Sequence, residues 1–245
     1  MLILFCIGIF AGLIEASAGG SGLISLPTLI FYGLTPLQAI ATSKFQYAFG
    51  AVAAIVRFER AGLNEWREIA PLVIAAMLAG SSGAYFLTHL SSAALQAIIP
   101  FLLIFSAIYF SYSSRITNQS SHPRISNRYF ALFVVPAIAG YDGFFGVGSA
   151  SFYMAAFVLL LGLNIREATA RTKIVDFASG VSALIVLALD GHVLLLPGLA
   201  LGAGQLIGGY LGAGLVLRFG AKWVRPVIVI VSIGMAVDLL VKKFF

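Results

Sequence analysis

Lys44 and Lys173 stand inside long apolar stretches, where an ammonium group is costly to hold and is a functional candidate by default. They lie 129 residues apart. The small-residue runs preceding them, Gly19-Gly20-Ser21-Gly22 and Gly148-Ser149-Ala150-Ser151, keep the same spacing. Gly33 and Gly162, Ala39 and Ala168, Gly62 and Gly191, and Gly80 and Gly209 correspond at the same shift. A lone lysine would most simply snorkel to the interface. Two lysines at corresponding positions, each following a glycine break, point instead to an anion site. Glycine interrupts a helix, and the next helix then opens with free N–H groups and the positive end of its dipole. The substrate-binding candidates are therefore Gly19, Gly20, Ser21, Gly22 and Lys44 in one half, and Gly148, Ser149, Ser151 and Lys173 in the other.

Three acids lie close to these positions. Asp176 shares a helix face with Lys173, while Glu15 and Asp142 just precede the two breaks. At the 129-residue shift Glu15 falls on Phe144 and Asp142 on Leu13, so the acids have no acidic counterparts and the site is expected to be symmetric in cations only. An ionised acid beside an anion site repels the substrate. Glu15, Asp142 and Asp176 are thus candidates for coupling to a proton or cation, with amide capping the plainer role for the first two and neutralising Lys173 the plainer role for Asp176. Arg171 and Gln46 are polar neighbours that either donate to a substrate or face headgroups.

Gly19-Gly20-Ser21-Gly22 also has the shape of an intramembrane serine hydrolase motif. That chemistry needs a buried histidine. His89 and His192 fall in short loops and His122 in a polar segment, so no catalytic residue is assigned and the chain is not read as an enzyme. No Walker A, H-E-x-x-H or cysteine pair occurs, which leaves no metal or other cofactor implied. The single cysteine, Cys6, rules out an intrachain disulfide.

The elements that must position these residues are membrane helices. Sixty per cent of the 245 residues are hydrophobic and only 10% charged, against about a quarter charged in soluble domains. Mean hydropathy is +1.02. Apolar runs near 2–33, 37–58, 68–87, 91–113, 129–162, 168–189, 195–217 and 223–241 recur at lengths suited to a bilayer. The net charge of +6 is carried between these runs without a basic stripe, so a lipid bilayer and not nucleic acid is the expected partner. Gly204-x3-Gly208-x3-Gly212 reads as tight helix packing. Such glycine faces serve a homo-oligomer as readily as a monomer.

Residues 1–113 form a first membrane repeat, 114–128 a polar linker and 129–245 a second repeat. Each repeat opens with a broken run, at Ala16–Gly22 and Gly140–Ser151, followed by three uninterrupted helices. If each broken run crosses the membrane once, the arginines split between the two sides. If each is a hairpin that returns to its own side, Arg57, Arg60, Arg67, Arg115, Arg124, Arg128, Arg166, Arg218, Lys222 and Arg225 share one face. Only Lys242 and Lys243 then disagree. The positive-inside rule favours the hairpins. The expected fold is an all-α polytopic membrane protein of two inverted repeats, each a glycine-broken helical hairpin plus three transmembrane helices, with the linker cytoplasmic and the termini outside.

Two motifs carry a family resemblance across nearly the whole chain. One is Gly12-Leu13-Ile14-Glu15-Ala16-Ser17-Ala18-Gly19-Gly20-Ser21-Gly22-Leu23-Ile24, with Pro27 and Ala39-Ile40-Ala41-Thr42-Ser43-Lys44 following. The other is Gly140-Tyr141-Asp142-Gly143-Phe144-Phe145-Gly146-Val147-Gly148, with Ala168-Thr169-Ala170-Arg171-Thr172-Lys173 following. Together they resemble the sulfite exporter TauE/SafE (TSUP) family, in its YfcA-like branch. Ser21, Ser43 and Val147 depart from the family's usual glycine, asparagine and proline. The resemblance implies a multi-pass protein of the bacterial inner membrane. It also implies a secondary transporter, working by alternating access, of sulfite, organosulfonates or related sulfur oxyanions. An uncoupled anion channel is the alternative in mechanism and an intramembrane hydrolase the alternative in class.

Overall fold

A computed structural model describes residues 1–62, 66–112 and 122–219. The apolar run 223–241, the lysines and arginine beyond Phe219, and most of the 114–128 linker, Arg115 included, lie outside the described residues. The chain is all helical there: α1 (Leu2–Ala18), α2 (Gly22–Phe31), α3 (Pro36–Glu59), α4 (Trp66–Thr88), α5 (Ser92–Tyr112), the single turn α6 (Asn127–Tyr129) leading through a π turn into α7 (Val135–Phe144), α8 (Ser149–Leu161), α9 (Ile165–Leu189) and α10 (Leu195–Phe219). Among the described residues α3, α4, α9 and α10 are long and apolar enough to cross a membrane, while α1, α2 and α8 are shorter apolar helices. The molecule is a polytopic membrane protein.

Local sequence sets where the two lysine-bearing helices begin. The Thr35 side chain accepts from the Gln38 amide and the Gln38 side chain returns a bond to the Thr35 amide, a complete capping box, with Pro36 opening α3. Asn164 caps α9 by accepting from the Glu167 amide at 3.0 Å. Thr35 and Asn164 are themselves 129 residues apart. Each lysine is consequently the ninth residue of its helix, roughly 13 Å along the axis from the cap.

Close approaches give the helix directions. Gly8 packs against Leu201, and Gly12 against Gln205 and Gly209, so α1 runs parallel to α10. Gly198 meets Phe45, Gly202 meets Phe49 and Gly214 meets Arg57, so α3 runs parallel to α10 as well. Asn127 donates to the Glu68 carbonyl, and Gly83 meets Phe144 further along, which makes α7 parallel to α4. Arg171 pairs with Glu68 and Gly80 meets Ser179, which makes α9 parallel to α4. Tyr47 touches Asp176 whereas Ala54 shares a cluster with Ala170, so α3 and α9 are antiparallel. A four-residue turn then brings α2 back alongside α3. Arg57, Arg60, Arg67, Arg124, Arg128, Arg166 and Arg218 all fall at the same end of the bundle.

Helix seams close to backbone contact. A Cβ at Gly208 would stand 2.0 Å from the Ile9 carbonyl oxygen, and one at Gly143 would stand 2.0 Å from that of Gly80. Lipid tails give helices no hydrophobic reason to associate, so close van der Waals approach of this kind carries the packing. It also accounts for one departure from the sequence reading. The second break is not Gly140–Ser151 but only Phe145–Gly148, because Gly140 and Gly143 lie inside α7 and pack on α4. The first break narrows likewise, to Gly19–Ser21.

Candidate functional site

The two breaks meet. Gly19, at φ +69°, brings its backbone so close to Ala150 that a Cβ would stand 2.1 Å from the alanine methyl. Around this contact lies a cavity with about 450 Å³ of atom-free space, its open mouth included. Both breaks line it, together with Glu15, Lys44, Tyr47, Asp142 and Asp176. Of the sequence candidates, Gly19, Gly20, Ser21, Gly22, Lys44, Gly148 and Ser149 line the cavity. Lys173 stands behind Glu15, and Ser151 is buried in α8 outside the lining.

Each lysine crosses to the acid of the opposite half. Lys173 Nζ donates to the Glu15 carbonyl and to Glu15 Oε1 at 2.7 Å. Lys44 Nζ donates to the Asp142 carbonyl, with Asp142 Oδ1 at 3.5 Å. All four side chains are at most 7% exposed. A buried pair of this kind tolerates poorly the loss of either member, because the survivor is left as an uncompensated charge.

This pairing overturns the expected asymmetry of the acids. Glu15 and Asp142 each stand four residues before a glycine of positive φ, Gly19 at +69° and Gly146 at +83°, and each receives the lysine of the other half through both carbonyl and carboxylate. They correspond at a shift of 127, not 129. The stretch from acid to lysine is two residues longer in the second half, 31 against 29, so an ungapped comparison anchored on the lysines misaligns the acids. Gly146 was also missed. Besides its positive φ, a Cβ there would stand 2.8 Å from Lys44 Nζ, so only glycine leaves room for the ammonium.

The amides expected to be free are partly taken by the protein itself. The Ser21 amide donates to Glu15 Oε2 at 3.1 Å and its hydroxyl to the same oxygen at 2.8 Å. Ser21 thus serves a carboxylate and faces no histidine base. Ser149 Oγ lies 3.0 Å from Asp142 Oδ1 and 2.7 Å from Asp176 Oδ1. Ser179 donates to Asp142 Oδ2 at 2.6 Å, and Tyr47 donates to Asp176 Oδ2 at 2.6 Å. Tyr47 and Ser179 were not singled out from sequence, since a tyrosine and a serine in apolar helices carry no signal until their neighbours are known.

Arg171 is away from the cavity lining, paired at 2.5 Å with the half-exposed Glu68 of α4. Gln46 is fully buried in α3 with both amide atoms unpartnered. Among the described residues no cluster of His, Cys, Asp and Glu is arranged to hold a metal ion.

A polytopic helical bundle with paired charges buried around a mid-chain cavity defines a secondary membrane transporter. The chain belongs to the sulfite exporter TauE/SafE family, whose model matches residues 4–239. It is a multi-pass inner-membrane protein and a transporter, not an enzyme, with small anions the substrate class that goes with the family. It is 38% identical over 237 residues to a probable membrane transporter protein, ORF9, of a Sinorhizobium species, covering 97% of this chain and 91% of that one. It is 36% identical over 239 residues to the probable membrane transporter protein YfcA of Escherichia coli, covering 97% and 88%. A probable membrane transporter protein of Haemophilus influenzae is 34% identical over 235 residues, covering 96% and 92%. No solved structure matches the chain significantly.

Proposed function

We propose that this protein carries small sulfur oxyanions, of the sulfite or sulfonate class, by alternating access, with the anion held between the two glycine breaks. The observation that carries this reading is the cavity at the crossing of the breaks, flanked by two lysine–acid pairs that each join the halves. Lys44, which lines the cavity, commits two of its three hydrogens to Asp142 and keeps one for an incoming anion, while Lys173 holds Glu15 from behind. Helix openings beside it add amide donors and a favourable dipole.

Residues 1–113 and 129–245 are, in this reading, inverted repeats. Supporting it, α1 and α3 run opposite to their counterparts α7 and α9, and α4 runs opposite to α10. One half rocking against the other would then expose the cavity to each side in turn. The arginine-rich end faces the cytoplasm by the positive-inside rule, together with the 114–128 linker, and the N-terminus lies outside.

Counterflow in proteoliposomes loaded with sulfite, methanesulfonate, sulfate or acetate tests the proposal. Saturable exchange of at least one sulfur oxyanion in preference to acetate is expected. Passive dissipation of any anion gradient without exchange would mean a channel, and the absence of movement for the whole panel would sink the anion reading.

A further inference from the structure

We propose that Asp176 is the proton-carrying group of this transporter, its proton held on the Ser149 hydroxyl that bridges to Asp142, so that one proton loads together with one anion. This rests on the anion-transport reading above and supplies its coupling.

The first argument is a count of hydrogens. Ser149 Oγ has one hydrogen to give, yet it stands within hydrogen-bond distance of Asp142 Oδ1, Asp176 Oδ1 and the Gly146 carbonyl. If both acids were ionised, at least one carboxylate oxygen would face a hydroxyl lone pair at 3.0 Å or less. A proton on Asp176 Oδ1 removes the conflict. Asp176 then donates to Ser149, Ser149 donates to Asp142 Oδ1, Ser179 donates to Asp142 Oδ2, and Tyr47 donates to Asp176 Oδ2. Every hydrogen has one acceptor.

The second argument is a count of charges. Two buried ammoniums, Lys44 and Lys173, face three buried acids, Glu15, Asp142 and Asp176. Glu15 and Asp142 each have a lysine in contact, whereas the bonds to the Asp176 carboxylate come from the Tyr47 and Ser149 hydroxyls. Asp176 is the surplus acid. With it ionised the site is net negative before any substrate arrives; with it protonated the site is neutral. Burying a further negative charge beside an unpaired carboxylate is strongly unfavourable.

The groups facing Asp176 agree on the sign. Glu15 on α1 and Asp142 on α7 repel its ionised form; Tyr47 on α3 and Tyr153 on α8 are neutral phenols. Lys173 on α9 and Lys44 on α3 are engaged by the other two acids, and Arg171 by Glu68 of α4. Anion entry therefore favours the protonated acid, and by linkage the proton favours the anion to the same degree. Groups that load together cross together, so a pH gradient drives the anion toward the alkaline side.

Infrared spectroscopy of the purified protein in lipid tests the proton directly. A protonated-carboxyl band at neutral pH is expected in the wild type and should vanish in Asp176→Asn. This variant keeps a donor toward Ser149 and so preserves the packing. A band that persists in Asp176→Asn, or no band in the wild type, overturns the assignment. Methanesulfonate, whose own charge is fixed across the range, separates coupling from binding. Its wild-type affinity should fall about tenfold per pH unit on the alkaline side of the titration, with one proton taken up per anion. Asp176→Asn should bind methanesulfonate without the pH dependence and no longer accumulate the anion under a pH gradient. Counterflow with gradient-driven accumulation intact in Asp176→Asn overturns the coupling alone. Absence of counterflow for every anion of the panel overturns the transport reading on which the coupling stands.

Discussion

The Tyr47 hydroxyl donates to the Asp176 carboxylate across 2.6 Å, and these two residues stand 129 positions apart, at corresponding places in the duplicated chain. In the inverted arrangement proposed above, the twofold axis would pass between them. Two equivalent residues that touch on an axis would, in a perfect duplication, present identical groups to each other. Here one is a phenol and the other an acid. The centre of the cavity is thus where the two halves differ in charge, while the lysine–acid pairs flanking it repeat.

Replacing Tyr47 with Phe removes the one hydroxyl reaching Asp176 Oδ2. A buried acceptor left without its donor costs about 1–3 kcal/mol, and the protein should unfold at a lower temperature in detergent while still eluting as a monodisperse species. Exchange should slow, since the acid loses the group that orients it. Thermal stability and counterflow measured side by side check this, and unchanged values in both would remove Tyr47 from the site.

The two lysine–acid pairs should behave alike. Lys173→Ala leaves Glu15 buried and unpaired, and Lys44→Ala does the same to Asp142; each should cost about 3–5 kcal/mol. The double replacement Glu15→Leu with Lys173→Met removes both charges and should recover most of that stability but no transport. Recovery of transport along with stability would show that the pair only packs.

Glycines divide into those that a methyl would crowd and those it would not. Gly143→Ala and Gly208→Ala place a Cβ within 2.0 Å of a facing carbonyl oxygen and should sharply reduce folded yield. At Gly33 nothing lies within 4 Å, so Gly33→Ala should cost only the strain of its positive φ, about 1 kcal/mol. Purified yield and melting temperature of the three variants should rank accordingly.

Much of this was legible in the chain. The repeat, the two breaks and both lysines were visible because each leaves a distinct mark: glycine in an apolar run, or a charge where charge is costly. The arginine count anticipated the end of the bundle where Arg57, Arg67, Arg124, Arg166 and Arg218 gather. What escaped was pairing across the halves. Lys173 is 158 residues from Glu15, and no local pattern announces that contact. The ungapped shift hid the match between Glu15 and Asp142, since the second half carries two additional residues between its acid and its lysine. Spacing offered Asp176 as the acid for Lys173, and could not reveal that each lysine instead holds an acid of the opposite half.

The orientation of the bundle admits a direct check. Arg60, which follows the end of α3, and Asp190, which follows the end of α9, lie at opposite ends because α3 and α9 are antiparallel. In a Cys6→Ser background, Arg60→Cys and Asp190→Cys each supply one thiol at a helix end outside the apolar spans. A membrane-impermeant maleimide added to intact cells should label Asp190→Cys and leave Arg60→Cys untouched. In inverted membrane vesicles the pattern should reverse. The arginine-rich end then faces the cytoplasm, as seven arginines at one end of the bundle require under the positive-inside rule. Labelling of Arg60→Cys from outside intact cells would turn the molecule over. It would leave the lysine–acid pairs unchanged at the crossing of the breaks, but would assign the α2–α3 turn to the cytoplasmic side.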